Sequence, residues 1–198
     1  MKIQKADSLD IAQVGRLYDS VCNYLSKTVN YPGWKKGLYP TVEDAASAIA
    51  EGSLYIAVLG GQIIGAVTLR NKPEHGYEQA NWSIDLTYDK VFVVYTLAVL
   101  PQFMNRGVAS DLLRFAEDTA RKAGMKAIRL DVVANNIPAI RLYEKLGFMC
   151  VGDFDLGYGK YGLDLFKLYE KNLYSTISRA QTYFRRKHCI EHFVICDI

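Results

Sequence analysis

The chain has 198 residues, enough for one domain of ordinary size and too few for two comfortable ones. Half of it is apolar and 23% is charged, a globular composition that excludes a disordered or collagen-like chain. The formal net charge of +3 is too small to build the whole molecule around a polyanion, and four basic residues against two acidic ones put most of it beyond residue 171. No apolar run approaches the ~20 residues of a bilayer span. Residues 1–20 carry Asp7, Asp10 and Asp19 and no h-region, so neither a membrane contact nor a signal peptide is expected. Cys22, Cys150, Cys189 and Cys196 lack framework spacing, which fits reduced thiols in a cytoplasmic protein.

Residues 1–5 read as a first strand. Asp7 or Ser8 can cap a helix whose apolar positions Ile11, Val14, Leu17, Val21 and Tyr24 recur at helical spacing. Residues 29–40 form a loop rich in aromatics, Tyr31, Trp34 and Tyr39 among them. Thr41 with Asp44 is a capping-box-like start for a helix that ends near Gly52. Residues 54–59 and 63–69, joined through Gly60-Gly61, carry a hairpin signal. A long loop over residues 71–90 holds Tyr77 and Trp82.

Residues 91–100 are an unbroken apolar run bounded by Pro101, as expected of a strand buried on both faces. Residues 107–123 give the clearest helix, with Val108, Leu112, Phe115, Ala116, Thr119 and Ala123 on one stripe and Gly124 at its end. A strand over 127–133, a short helix over 137–146 stopped by Gly147, and closing strands over 148–155 and 163–171 complete the pattern. The order is βααββ, then βαβαββ: an α/β (α+β) mixture around a single sheet.

The informative stretch runs Leu97-Ala98-Val99-Leu100-Pro101, then Met104-Asn105-Arg106-Gly107-Val108-Ala109. A buried strand ends, the chain turns sharply, and a helix begins at a glycine. The first N–H groups of a helix lack internal partners and its dipole there favours negative charge, so the turn suits a pyrophosphate. A second piece lies 27 residues past Ala109: Asn136 as cap, Pro138 in the first turn, then Ala139, Tyr143, Gly147 and Phe148.

Together the two pieces resemble the GNAT superfamily of acyl-coenzyme A-dependent N-acyltransferases, through its pyrophosphate motif and its N-x-x-A-x-x-x-Y-x-x-x-G-F motif. The resemblance is detailed over residues 91–171, and the element order of residues 1–90 agrees with it. It implies a mixed, mostly antiparallel sheet flanked by helices and splayed between its fourth and fifth strands, with acetyl-coenzyme A as acyl donor and no metal. The N–H groups of Asn105, Arg106, Gly107, Val108 and Ala109 would hold the pyrophosphate. Leu97, Ala98 and Val99 would offer main chain to the pantetheine arm, and Asn136, Ala139 and Tyr143 would line the thioester end. Met104 departs from the Gln or Arg that the family prefers there, with Arg106 as a substitute charge.

The resemblance also implies roles in the reaction. Tyr143 would protonate the departing thiolate, and an N–H on the strand ending at Val99 would hold the oxyanion. The base stays open among Tyr95, Asp85, Glu78 and a water chain. Trp34, Tyr39, Trp82 and Tyr95 are candidate acceptor-site residues, in loops whose aromatics either form a pocket for a small apolar or cationic amine or simply cover the sheet edge. Asp131 reads as solvent-facing or structural, and the Gly157-Tyr158-Gly159-Lys160-Tyr161-Gly162 run as a hairpin connection.

The resemblance ends at Lys171, which gives an acetyltransferase domain over 1–171 and an extension over 172–198. There Leu173, Ile177, Ala180 and Phe184 mark one helical face for docking, and His188, Cys189, His192 and Cys196 fall short of a zinc-site pattern. The expected activity is acetyl transfer from acetyl-coenzyme A to a primary amine of a small molecule by direct attack. Acetylation of a peptide N-terminus and a non-catalytic acyl-coenzyme A-binding domain are the alternatives. No nucleic-acid partner is expected, and the chain is expected as monomer or homodimer.

Overall fold

A computed structural model of the protein describes residues 1–173; the expected docking helix and the His/Cys cluster of the extension lie outside the described residues. Strand β1 (Lys2–Lys5) leads into helix α1 (Ile11–Leu25) and helix α2 (Val42–Ala50). Strands β2 (Leu54–Leu59), β3 (Gln62–Arg70) and β4 (Val91–Val99) follow. Then come α3 (Val108–Lys122), β5 (Ala127–Val133), α4 (Ile137–Lys145), β6 (Met149–Phe154) and β7 (Phe166–Asn172). The strands make one sheet in the order β1-β2-β3-β4-β5-β7-β6, antiparallel throughout except for the parallel pair β4–β5. Among the described residues no helix is long and apolar enough to cross a membrane.

Local signals hold where they rest on local chemistry. Asp7 closes a capping box with Asp10, and Thr41 closes another with Asp44, its Oγ1 accepting from Asp44 N at 3.2 Å. Gly60 and Gly61, at φ 57° and 78°, make the two-residue turn between β2 and β3. The apolar stripes drift from the expected positions. In α1 the buried face turns through Tyr18, Cys22 and Leu25, which leaves Tyr24 exposed. In α3 it runs through Leu113 and Ala120, with Ala123 exposed, because 3.6 residues per turn carries the stripe sideways over four turns.

Two expectations need correction. Strand β4 alternates between buried and half-buried positions instead of burying both faces. Also, β7 runs to Asn172, and Leu173 is buried, its N–H donating to Lys126 O at 2.9 Å. The last strand therefore ends one residue later than Lys171, and Leu173 beyond it is still packed.

The register of β4 positions the site. Val93 faces Arg70 and Ala98 faces Ala66, both on one side of the sheet although five residues apart on β4. A bulge between them absorbs the odd residue and turns both Tyr95 and Thr96 to that side. Helix α3 covers the other side, where a Cβ on Gly65 would meet Leu112 and Val108 at 3.0 Å.

Candidate functional site

Strands β4 and β5 pair from Val91 with Ala127 to Val94 with Leu130, and there the pairing stops. Each strand goes on with its other neighbour: Val99 still pairs with Gly65, and Val133 with Phe166. The sheet therefore opens into a fork whose inner edges, Tyr95 to Val99 and Asp131 to Val133, offer main-chain groups to something extended laid between them. Leu97, Ala98 and Val99 lie on one arm of it.

The open end of the fork leads to the loop between β4 and α3. Two of its residues take positive φ, Asn105 at 59° and Gly107 at 87°, with Arg106 between them. Gly107 is the N-cap of α3, and Asp111 N is the first amide of the helix to reach a carbonyl, that of Gly107 at 3.0 Å. The N–H groups of Val108, Ala109 and Ser110 thus point out of the helix without internal partners. A Cβ on Gly107 would meet nothing within 4 Å, so the concavity in front of these amides is open. Unpaired amides, a helix N-terminus and left-handed turns together suit a diphosphate. Met104 stands in this loop with no charge to add, and the Arg106 guanidinium lies 5.6 Å from the Phe103 ring.

Helix α4 brings its residues to the other arm. Asn136 Oδ1 accepts from Ala139 N at 3.3 Å, so the predicted cap forms, and Pro138 occupies the first turn. Tyr143 is 7% exposed and stacked edge-on to Phe148 at 5.9 Å. Burial pushes its phenol well above the usual tyrosine range, and the charge of Asp131 adds to that. Its hydroxyl makes no hydrogen bond among the described residues.

At the crotch of the fork the structure places a residue that sequence reasoning set aside. Asp131, read as solvent-facing or structural, is the first β5 residue past the last β4 pair, and it is half-buried. Its Oδ1 accepts the Tyr77 hydroxyl at 2.8 Å. Burial pushes its carboxyl up to about 6; the charge of Glu74 adds to this, and the Tyr77 bond opposes it. A signal was present: Arg129 and Asp131 interrupt the apolar strand Ala127–Val133 two residues apart, which puts both on one face.

Around Asp131 stand phenols from three further segments. The Tyr39 hydroxyl shares a 2.7 Å hydrogen bond with Thr96 Oγ1, and burial pushes it up to about 12. Tyr95 donates to Lys72 O at 2.7 Å, and Tyr158 donates to Glu74 Oε2 at 3.2 Å. The α1–α2 loop and the β6–β7 loop touch, since a Cβ on Gly33 would overlap Leu163 at 2.7 Å.

Other candidates are not brought here. Trp82 is committed to scaffolding: its indole donates to Tyr77 O at 2.9 Å, and the Arg129 guanidinium sits 4.2 Å above its ring. Trp34 packs against the main core and edge-on to Tyr39 at 6.0 Å. Glu78 and Asp85 line a separate cleft of about 410 Å³ with Trp82 and Tyr88. The Gly157–Gly162 run folds as an irregular connection with a single turn over Gly159–Tyr161.

Comparison with known proteins agrees with this geometry. A model of the acetyltransferase (GNAT) family matches residues 18–148. The aminoalkylphosphonate N-acetyltransferase of Salmonella typhimurium is 25% identical over 67% of this chain and 76% of its own length. The N-alpha-acetyltransferase of Sulfurisphaera tokodaii is 28% identical over 74% of this chain and 79% of its own. A Salmonella typhimurium protein solved with its cofactor acetyl-CoA has the same fold, with a TM-score of 0.66, 16% identity, and 90% and 96% of the two chains covered. The chain belongs to the acetyltransferase (GNAT) family and is an N-acetyltransferase of that type.

Proposed function

We propose that the protein transfers an acetyl group from acetyl-coenzyme A to a primary amine of a small molecule by direct attack. In this reading the amides of residues 105–109, Val108 and Ala109 among them, hold the pyrophosphate. The pantetheine arm runs along Leu97, Ala98 and Val99 in the fork, past Asn136, Ala139 and Tyr143. Tyr39 and Tyr95 border the acceptor, and Trp34 and Trp82 shape that border from behind.

The acceptor enters as an ammonium and gives its proton to Asp131, which Tyr77 holds in place. The freed lone pair forms the new C–N bond at the thioester carbon, and a β4 amide near Val99 takes the oxyanion charge. As the C–S bond breaks, the Tyr143 hydroxyl gives its proton to the leaving thiolate. The resulting phenolate is restored by the excess proton of the product amide, carried out through water. A neutral, proton-bearing Tyr143 suits this role, and burial keeps it so at working pH.

The observation that carries the small-molecule reading is the contact of Leu163 with the Gly33 backbone, which bridges the two loops over the acceptor side. A bridged roof leaves a pocket, whereas a peptide needs a trough open at both ends. The peptide reading draws on one relative, the Sulfurisphaera tokodaii N-alpha-acetyltransferase. Free-thiol release from acetyl-coenzyme A, measured over a panel of small amines and of peptides with free N-termini, separates them. Turnover of small amines is expected, and turnover of peptides alone would reverse the assignment. Binding of acetyl-coenzyme A without turnover of either would leave a regulatory domain.

A further inference from the structure

We propose that Thr96 is a positioning residue for the acceptor: its hydroxyl fixes the Tyr39 hydroxyl, so that Tyr39 offers the amine its ring and not its O–H. The proposal rests on the acetyl-transfer reading above and assigns how one wall of that site is held.

The pair exists because of the bulge in β4. In regular pairing Tyr95 and Thr96, as chain neighbours, would point to opposite faces of the sheet. Here Val94 stands opposite Leu69 and Leu97 opposite Val67, so the two residues between them share the single place opposite Thr68 and turn to one side. Thr96 is 5% exposed, a buried hydroxyl on the arm of the fork just past the last pair with β5. Its Oγ1 lies 2.7 Å from the Tyr39 hydroxyl, across 57 positions of sequence.

The main chain of Tyr39 is held within its own loop and by α1. Lys35 N donates to Tyr39 O at 3.1 Å, and Tyr39 N donates to Lys35 O at 3.0 Å. The Cys22 thiol donates to the same Tyr39 carbonyl at 3.9 Å. Trp34 steadies the ring edge-on at 6.0 Å. The side-chain bond to Thr96 therefore ties a loop anchored on α1 to the strand along which the donor is proposed to lie. Tyr39 stays 37% exposed although its hydroxyl is taken, so what it has left to offer a ligand is ring. A phenol ring suits the alkyl chain or the ammonium of an amine.

The test reads thiol release from acetyl-coenzyme A by the full chain with butylamine, benzylamine and 1,4-diaminobutane, and carries forward the amine with the highest kcat/KM. Thr96→Val removes the hydroxyl and keeps the shape. It should raise KM for that amine by about three- to tenfold, the effect of one net hydrogen bond. Both kcat and KM for acetyl-coenzyme A should stay within about twofold of wild type. Thr96→Ser keeps the hydroxyl and should recover most of the loss. Tyr39→Phe should match Thr96→Val, and the double variant should be no worse than either, because each change breaks the same bond. The double variant strands no hydroxyl and should melt close to wild type, which separates position from folding. Tyr39→Ala removes the ring as well and should cost more than Tyr39→Phe.

A loss in Tyr39→Phe well beyond that in Thr96→Val would put the Tyr39 hydroxyl on the substrate itself. Wild-type kinetics in Thr96→Val, or losses that add in the double variant, would leave the bond no part in holding the acceptor. Tyr39→Ala no worse than Tyr39→Phe would take the ring out of the site. Each of these would overturn the proposal while leaving acetyl transfer standing. Thiol release with none of the three amines would overturn the small-amine reading and this proposal with it.

Discussion

Tyr77 donates its hydroxyl to Asp131 across 2.8 Å, joining residues 54 positions apart at the point where β4 and β5 part company. Tyr77 is fully buried on the loop that follows β3, and its ring lies 5.4 Å from Trp82. The bond partly offsets the burial of the Asp131 carboxyl, so the acid titrates near neutrality instead of staying protonated. The proposed base role asks for such a group, ionised at working pH yet able to take a proton.

The pH profile follows from that position. With Asp131 as base and its carboxyl near 6, kcat/KM should climb as pH rises through about 6, the titratable groups around it being Glu74, Tyr39, Tyr77, Tyr95, Tyr143 and Tyr158. Asp131→Asn should remove this limb and lower kcat/KM by about 10²–10⁴. Stability should move the other way. An acid raised from 3.8 to about 6 by folding favours the folded state below 3.8, and loses that contribution as pH rises through 6. The asparagine variant, which cannot ionise, should therefore melt no lower than wild type at pH 8. A variant that loses activity and folding together would make Asp131 structural.

Tyr143→Phe keeps the ring and its packing on Phe148 and Tyr169, and removes a hydroxyl that no other side chain uses among the described residues. Loss of the proton for the thiolate should lower kcat by about 10²–10⁴ with KM for acetyl-coenzyme A nearly unchanged. Single-turnover measurement isolates the chemical step. A rate within about threefold of wild type there would leave proton delivery to water.

Gly107 is the sharpest test of the pyrophosphate loop. Coenzyme A at 100 times its Kd should stabilise the wild type by about 2.7 kcal/mol. Gly107→Ala should cost about 1–2 kcal/mol of stability for the left-handed backbone alone, since its methyl meets open space. Gly107→Asp adds a negative charge in front of the amides and should abolish the coenzyme A-induced shift in melting temperature. A shift of full size in that variant would move the cofactor elsewhere.

Beneath the acceptor side lies a buried ion pair, Arg129 with Glu170 at 3.0 Å, the two side chains 1% and 2% exposed. Arg129 also donates to Ile84 O at 2.9 Å and lies between the Trp82 and Tyr88 rings, and Glu170 accepts from Ser83 N at 2.9 Å. The pair therefore pins the loop that carries Tyr77. Arg129→Met should cost about 3–5 kcal/mol in denaturant unfolding, because it strands the Glu170 charge. A loss below about 1 kcal/mol would mean that the loop holds itself.

The sequence by itself determined what depends on short range. A cap at Asp7, the capping box at Thr41, the Gly60-Gly61 turn, the β4–loop–α3 transition at Gly107 and the Asn136 cap are all written within a few residues, because backbone hydrogen bonds and positive φ make local demands. The proposed cofactor side was legible for the same reason: the main-chain geometry of the two motifs follows from the glycine and the cap. The acceptor side was decided by tertiary structure. Asp131 read as solvent-facing or structural on its strand, and Tyr77 as one aromatic of a loop. They meet because β5 diverges from β4 after Leu130, the β4 bulge turns Tyr95 and Thr96 to one side, and the Arg129–Glu170 pair pulls the loop inward. Contacts between residues tens of positions apart carry no local pattern, so burial and proximity, which set the Asp131 carboxyl near neutrality, exist only once the sheet has formed.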